Sequence, residues 1–184
     1  MFLDTQDQST PPAMEEPLRR PSPATLYLIA GRRGAGKSTV AARLAARPGV
    51  CLFSEETLLG ELYPDEMEAP GGHIGASIRL RHALKDHIVG LLRQGISVVL
   101  DFPANTPESR RWGRELFEAA GVRHELHLLD VPAMICEARL KARNTRRHNG
   151  ATPRPLDAKR REEADLFFLP PLPQEGFNVV RHGE

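Results

Sequence analysis

The stretch ATLYLIAGRRGAGKSTVAARLAAR, residues 24–47, decides the fold. Its first seven residues, 24–30, form an apolar run of strand length. Residues 37–47 put Val40, Ala41 and Leu44 on one face, a helix stopped by Pro48-Gly49. Between strand and helix, GRRGAGKST (31–39) fits G-x-x-x-x-G-K-[ST], in the context that pattern needs. Glycines let backbone N–H groups turn inward around a phosphate. The helix start adds unpaired donors and the positive end of its dipole. Lys37 would reach the β- and γ-phosphates, and the Ser38 hydroxyl is placed for Mg²⁺. The expected nucleotide contacts are therefore Gly31, Arg32, Arg33, Gly34, Ala35, Gly36, Lys37, Ser38 and Thr39.

Outward from this stretch, strands and helices alternate. VCLF (50–53) reads as a second strand and EETLLGELY (55–63) as a short helix ended by Pro64. Residues 64–73 read as a Pro/Gly-rich loop. Ile74, Ile78, Leu84, Ile88, Leu91 and Leu92 then keep a helical period down to Gly95. ISVVL (96–100) is the third strand, ending before Asp101. A helix runs from Pro107 to Ala120, between Thr106-Pro107 and Gly121. HELHLL (124–129) is the fourth strand and residues 132–143 are a helix. A basic loop over 144–156, a helix over 157–168 and a last strand over 177–181 close the chain. This alternation predicts an α/β fold with a parallel sheet covered on both faces. Ligands of such sheets gather at the carboxyl ends of the strands, which singles out Gly31, residues 54–56, Asp101 and Asp130.

The bulk numbers exclude several classes. At 184 residues one domain is expected, spanning 24–184 after a disordered, proline-rich lead-in over 1–23. Lys plus Arg total 25 against 24 acids, so no global charge draws the chain to nucleic acid or membrane. No run approaches the ~20 apolar residues of a membrane span, and no signal peptide is visible, so a cytoplasmic protein is expected. Cys51 and Cys136 are read as reduced core thiols. The histidines lack metal-ligand spacing, and Trp112 is read as packing.

The charge that matters is local. Arg139, Lys141, Arg143, Arg146, Arg147, Arg154, Lys159, Arg160 and Arg161 face a single acid, Asp157. Arg139 and Arg143 lie four apart on one helical face. Guanidinium groups there can fork onto phosphate oxygens and offset charge on a transferred γ-phosphoryl group. Asp101 is followed by Phe102, so the acidic pair that positions an attacking water in many hydrolases is missing, as is any Asn-Lys-x-Asp sequence. Transfer is expected over hydrolysis. Glu55 and Glu56 would face an acceptor hydroxyl, or serve only the N-terminus of a helix capped by Ser54. Asp101 would hold Mg²⁺ through water or touch the acceptor, with Asn105 beside it. Arg110 would lie a turn into the next helix, facing solvent.

With the cradle, an acid after the second strand, LDFPANTPESR (100–110), LHLLDVP (126–132) and RLKARN (139–144) in order, residues 24–182 resemble the small P-loop kinases. These include the gluconate and shikimate kinases, polynucleotide kinase, chloramphenicol phosphotransferase and zeta toxins. The chain looks closest to the zeta-toxin/polynucleotide-kinase-like AAA family ATP-binding proteins. The resemblance implies a nucleoside monophosphate kinase-like fold with five parallel strands ordered 2-3-1-4-5. It implies a lid near 143–156 with arginines on the γ-phosphate, where Arg143 matches well. It implies an acceptor-binding acid after strand two, best matched by Glu56, where the family usually has Asp. Arg79 lies on the helix that borders the acceptor pocket in such kinases, or is a surface arginine.

The sequence thus predicts an ATP- and Mg²⁺-dependent phosphotransferase. Lys37, Glu56, Asp101, Arg139 and Arg143 are its candidate catalytic groups. Glu55, Glu56, Arg79, Asp101 and Asn105 are the candidate acceptor contacts, and Ser38 and Asp101 the candidate metal ligands. The expected partners are a nucleoside triphosphate and a small hydroxyl-bearing acceptor, in a monomer or homodimer. A nucleotide-dependent regulator or toxin-type protein, and a nucleic-acid end kinase, are the alternatives.

Overall fold

A computed structural model describes residues 23–69, 71–147 and 168–183. The expectations for residues 1–22, for most of the 143–156 lid and for a helix over 157–167 lie outside these residues. Five parallel strands form one sheet in the order β2-β3-β1-β4-β5. They are β1 (Thr25–Gly31), β2 (Val50–Ser54), β3 (Ser97–Pro103), β4 (Arg123–Leu129) and β5 (Val179–His182). The helices are α1 (Lys37–Ala45), α2 (Glu55–Leu62), α3 (Pro64–Glu68), α4 (Gly72–Arg93), α5 (Pro107–Ala120) and α6 (Ala133–Arg147). The α/β class and the strand order are those expected.

Side-chain alternation on β1 explains why both faces are covered. Leu26, Leu28 and Ala30 join Leu80, Ile88 and Leu92 of α4 and Leu116 and Phe117 of α5 in one core. Tyr27 and Ile29 point the other way, to Val40, Ala41 and Leu44 of α1 and Cys136 of α6. Helix α5 lies close on the sheet. A methyl group at Gly113 would come within 2.6 Å of Leu28. Its start is fixed by Thr106, whose hydroxyl accepts from the Ser109 N–H at 3.2 Å, and its end by left-handed Gly121.

Four expectations need correction. The 64–73 loop holds a short helix, α3, because Pro64 occupies a first-turn position, where a missing N–H costs nothing. Strand β3 continues through Asp101 to Pro103 instead of stopping at Leu100. Helix α6 runs to Arg147, four residues past its expected end at residue 143 and into the expected lid. Ile74 and Ile78 keep the helical period of α4, yet they are 59% and 64% exposed.

Candidate active site

The phosphate loop is shaped by backbone geometry that only glycine adopts freely. Gly34 has φ 78° and Gly36 has φ 102°, both left-handed, and Gly36 opens α1. The Lys37 ammonium lies back over the loop, donating to the carbonyls of Gly31 at 2.8 Å and Arg32 at 3.1 Å. Ser38 and Thr39 are exposed in the first turn of α1. On one side the loop leans on α6. A methyl group at Gly34 would meet the Cys136 carbonyl at 2.5 Å and Leu140 at 3.0 Å. Arg139 and Arg143 are exposed on that helix, and Arg143 lies seven residues beyond Cys136 on the same face.

Asp101 sits in an irregular part of β3. Between Leu28 and Ile29 of β1 the register jumps from Leu100 to Pro103, while Asp101 keeps its pairing with Ser54 of β2. Bulges of this kind re-aim side chains at strand ends. The extra residues turn Phe102 into the core, 4% exposed against Trp112, and leave Asp101 half-buried at the carboxyl edge.

Asn105, expected on the acceptor side, turns its amide to the phosphate loop. Its Oδ1 accepts from the Gly31 N–H at 2.9 Å, and its Nδ2 donates to the Gly31 carbonyl at 3.1 Å. Its own carbonyl accepts from the Leu169 N–H at 2.9 Å. Arg110, expected in solvent, is 1% exposed. Its Nε and Nη2 grip Glu175 at 2.6 and 2.8 Å, and its Nη1 donates to the carbonyls of Ala104 at 3.1 Å and Leu169 at 2.9 Å. Held by these bonds, Arg110 lowers the pKa of the Glu175 carboxyl. The segment from Phe168 to Gly176 is thereby tied to the β3–α5 loop. Phe168 lies under the guanidinium of Arg32, 5.3 Å from its ring centre.

On the far side of the cleft, the two glutamates that open α2 part ways. Both follow Ser54, whose hydroxyl accepts from the Thr57 N–H at 3.4 Å. Glu56 stays exposed. Glu55 is 13% exposed, accepts from Ser77 and takes Arg81 Nε and Nη2 at 3.3 and 3.1 Å. The Arg81 guanidinium also lies over Trp112 at 5.3 Å and Phe102 at 5.8 Å. Arg79 is an exposed residue paired with Glu66 and stacked over Tyr63 at 5.0 Å. Ser77, Arg81 and Glu175 were not singled out by sequence reading. For Arg81 a signal existed, because it lies seven residues before Ile88 on the core phase of α4.

Residues 26–164, three-quarters of the chain, match a family model described as AAA domain. The chain belongs to this AAA-domain family. Solved structures share its architecture. A kinase candidate from Chloroflexus aurantiacus J-10-fl is 19% identical, covers 86% of each chain and has a TM-score of 0.59. A sugar kinase from Janibacter sp. HTCC2649 is 16% identical over 86% of each chain, with a TM-score of 0.55. The structure of APE1195 is 18% identical over 70% of this chain and 73% of its own, with a TM-score of 0.52. No curated protein matches by sequence. The fold of this AAA-domain chain is that of the P-loop kinases, with the phosphate loop, Asp101 and the start of α2 along one sheet edge. Among the described residues no helix is long and apolar enough to cross a membrane.

Proposed function

We propose that this protein is an ATP- and Mg²⁺-dependent kinase that transfers the γ-phosphoryl group to a hydroxyl of a small acceptor. The observation that carries this reading is the complete cradle at the end of β1, with the Lys37 ammonium held over it by two loop carbonyls. Lys37 would exchange those carbonyls for the β- and γ-phosphates. The sugar-kinase function of one structural relative agrees with this reading.

The Ser38 hydroxyl and the Asp101 carboxylate are oxygen donors at one sheet edge, a set that suits Mg²⁺, which binds few protein oxygens and keeps several waters. Bound there, the ion would offset charge on the β- and γ-oxygens. Glu56 or Asp101 would orient the acceptor hydroxyl and take its proton as the new P–O bond forms and the bond to the β-phosphate oxygen breaks. Arg143 and Arg139 would reach the transferred group from α6. Glu55 is engaged with Arg81 and Ser77 and would shape the pocket wall.

The test is a screen of hydroxyl compounds with γ-labelled ATP, run beside Lys37→Ala. Transfer to an acceptor by the native protein and loss of nucleotide binding or turnover in the variant are expected. Normal binding and transfer by Lys37→Ala would refute the proposal. Nucleotide binding without transfer to any hydroxyl would identify a regulator instead.

A further inference from the structure

Helix α4 reaches past the sheet. Its 22 residues at about 1.5 Å each make roughly 33 Å, whereas the seven of β3 span about 23 Å. The chain leaves α4 at the amino edge to enter β3, so the excess of about 10 Å, roughly seven residues, overhangs the carboxyl edge. That excess is the turn pair carrying Ile74 and Ile78.

The direction those side chains take is fixed by two contacts lower on the helix. Arg81 stacks on Trp112 and Lys85 pairs with Glu115 at 2.8 Å, so this face of α4 looks at α5. Ile74 and Ile78 stand seven residues before Arg81 and Lys85 and continue the same face. Helices α4 and α5 run in the same direction, and α5 begins only at Pro107. The two isoleucines therefore look across at the strand-end loop around Pro103 to Thr106, beside Asp101. They are more than half exposed, so the space between is open.

The charges of this wall are already matched. Arg81 carries Glu55, and Arg79 carries Glu66. Glu56 and Glu108, in the first turns of α2 and α5, add negative charge. A phosphate or carboxylate on the acceptor would meet like charge there, while an uncharged compound with an apolar face would cover Ile74 and Ile78.

We propose, building on the kinase reading above, that the acceptor is an uncharged hydroxyl compound with an apolar face. That face packs on Ile74 and Ile78, and a polar edge meets Ser77 and Arg81. Phenyl β-glucoside, glucose and glucose 6-phosphate are matched probes. Trp112, the single tryptophan, sits under Arg81 and reports binding by its emission.

Phenyl β-glucoside is expected to change Trp112 emission and to accept labelled phosphate at a lower KM than either other probe. Ile78→Ser and Ile74→Ser should each raise that KM about tenfold and leave ATP affinity unchanged. Both sites are exposed, so the variants should keep the native unfolding midpoint. Preferred transfer to glucose 6-phosphate, or an unchanged KM in both variants, would overturn this proposal and leave the kinase reading standing. No emission change and no transfer to any probe, with transfer to other acceptors in the broad screen, would also overturn it alone. No transfer to any hydroxyl compound would overturn both.

Discussion

Asn105 makes two hydrogen bonds to the backbone of one residue, Gly31, and that residue opens the phosphate loop. Replacing it by Ala should loosen Gly31 and weaken ATP affinity about fivefold, the effect of roughly 1 kcal/mol. Calorimetric titration with ATP measures this, and KM for the acceptor should move less. Arg110 carries a larger load, since it is buried and four acceptor atoms depend on it. Arg110→Met should cost roughly 3 kcal/mol of stability, read from a urea midpoint. The sequence placed Arg110 one turn into α5 correctly and its environment wrongly. An arginine in a first helical turn looks the same whether it meets water or a carboxylate, and Glu175 lies 65 residues away. The cradle itself was legible because its residues are contiguous and backbone geometry restricts them.

At the scale of elements, the contact between the phosphate loop and α6 is made possible by a missing side chain. Gly34→Ala would bring a Cβ to 2.5 Å from the Cys136 backbone, at a φ of 78° that alanine rarely adopts. The loop or α6 must shift. Nucleotide turnover should fall at least tenfold, measured as ATP-dependent transfer, while circular dichroism stays near native. Helix boundaries with strong chemical markers were legible, such as Thr106-Pro107 and Gly121 around α5. Two features were not. Pro64 was read as a stop, although proline also serves as a first-turn residue. Asp101 was read as a strand end, because a bulge depends on the neighbouring strand's register and leaves no local mark.

For the whole molecule, alternating strands and helices implied a parallel sheet, but the strand order came only from the family resemblance. Local patterns carry no information on which strands are neighbours. The β4–β5 edge contains a histidine pair that no spacing rule revealed. His127 is 5% exposed, with Nδ1 at 2.8 Å from His182 Nε2 and Nε2 at 3.1 Å from Glu125. Burial lowers its pKa from 6.5, despite the opposing hydrogen bond to Glu125. The unfolded chain would then take up a proton near pH 6.5, before the folded one does. The contribution of His127 is present above that pH and is lost as pH falls through the lowered folded value. Unfolding free energy should therefore decline from pH 7.5 to 5.5. His127→Gln should flatten the slope, as denaturant titrations at several pH values will show.

The Gly31 carbonyl, shared by Lys37 and Asn105, bears on how readily the cradle loads. A lysine that turns from a backbone oxygen to a phosphate would ordinarily leave that oxygen bare in a crowded place. Here the Asn105 amide stays behind on the Gly31 oxygen, as the Ala35 N–H does at 3.2 Å on the Arg32 oxygen, so the exchange of partners leaves neither carbonyl bare. The loop therefore enters the nucleotide complex with its first residue already held, and most of the reorganisation falls on a single flexible side chain.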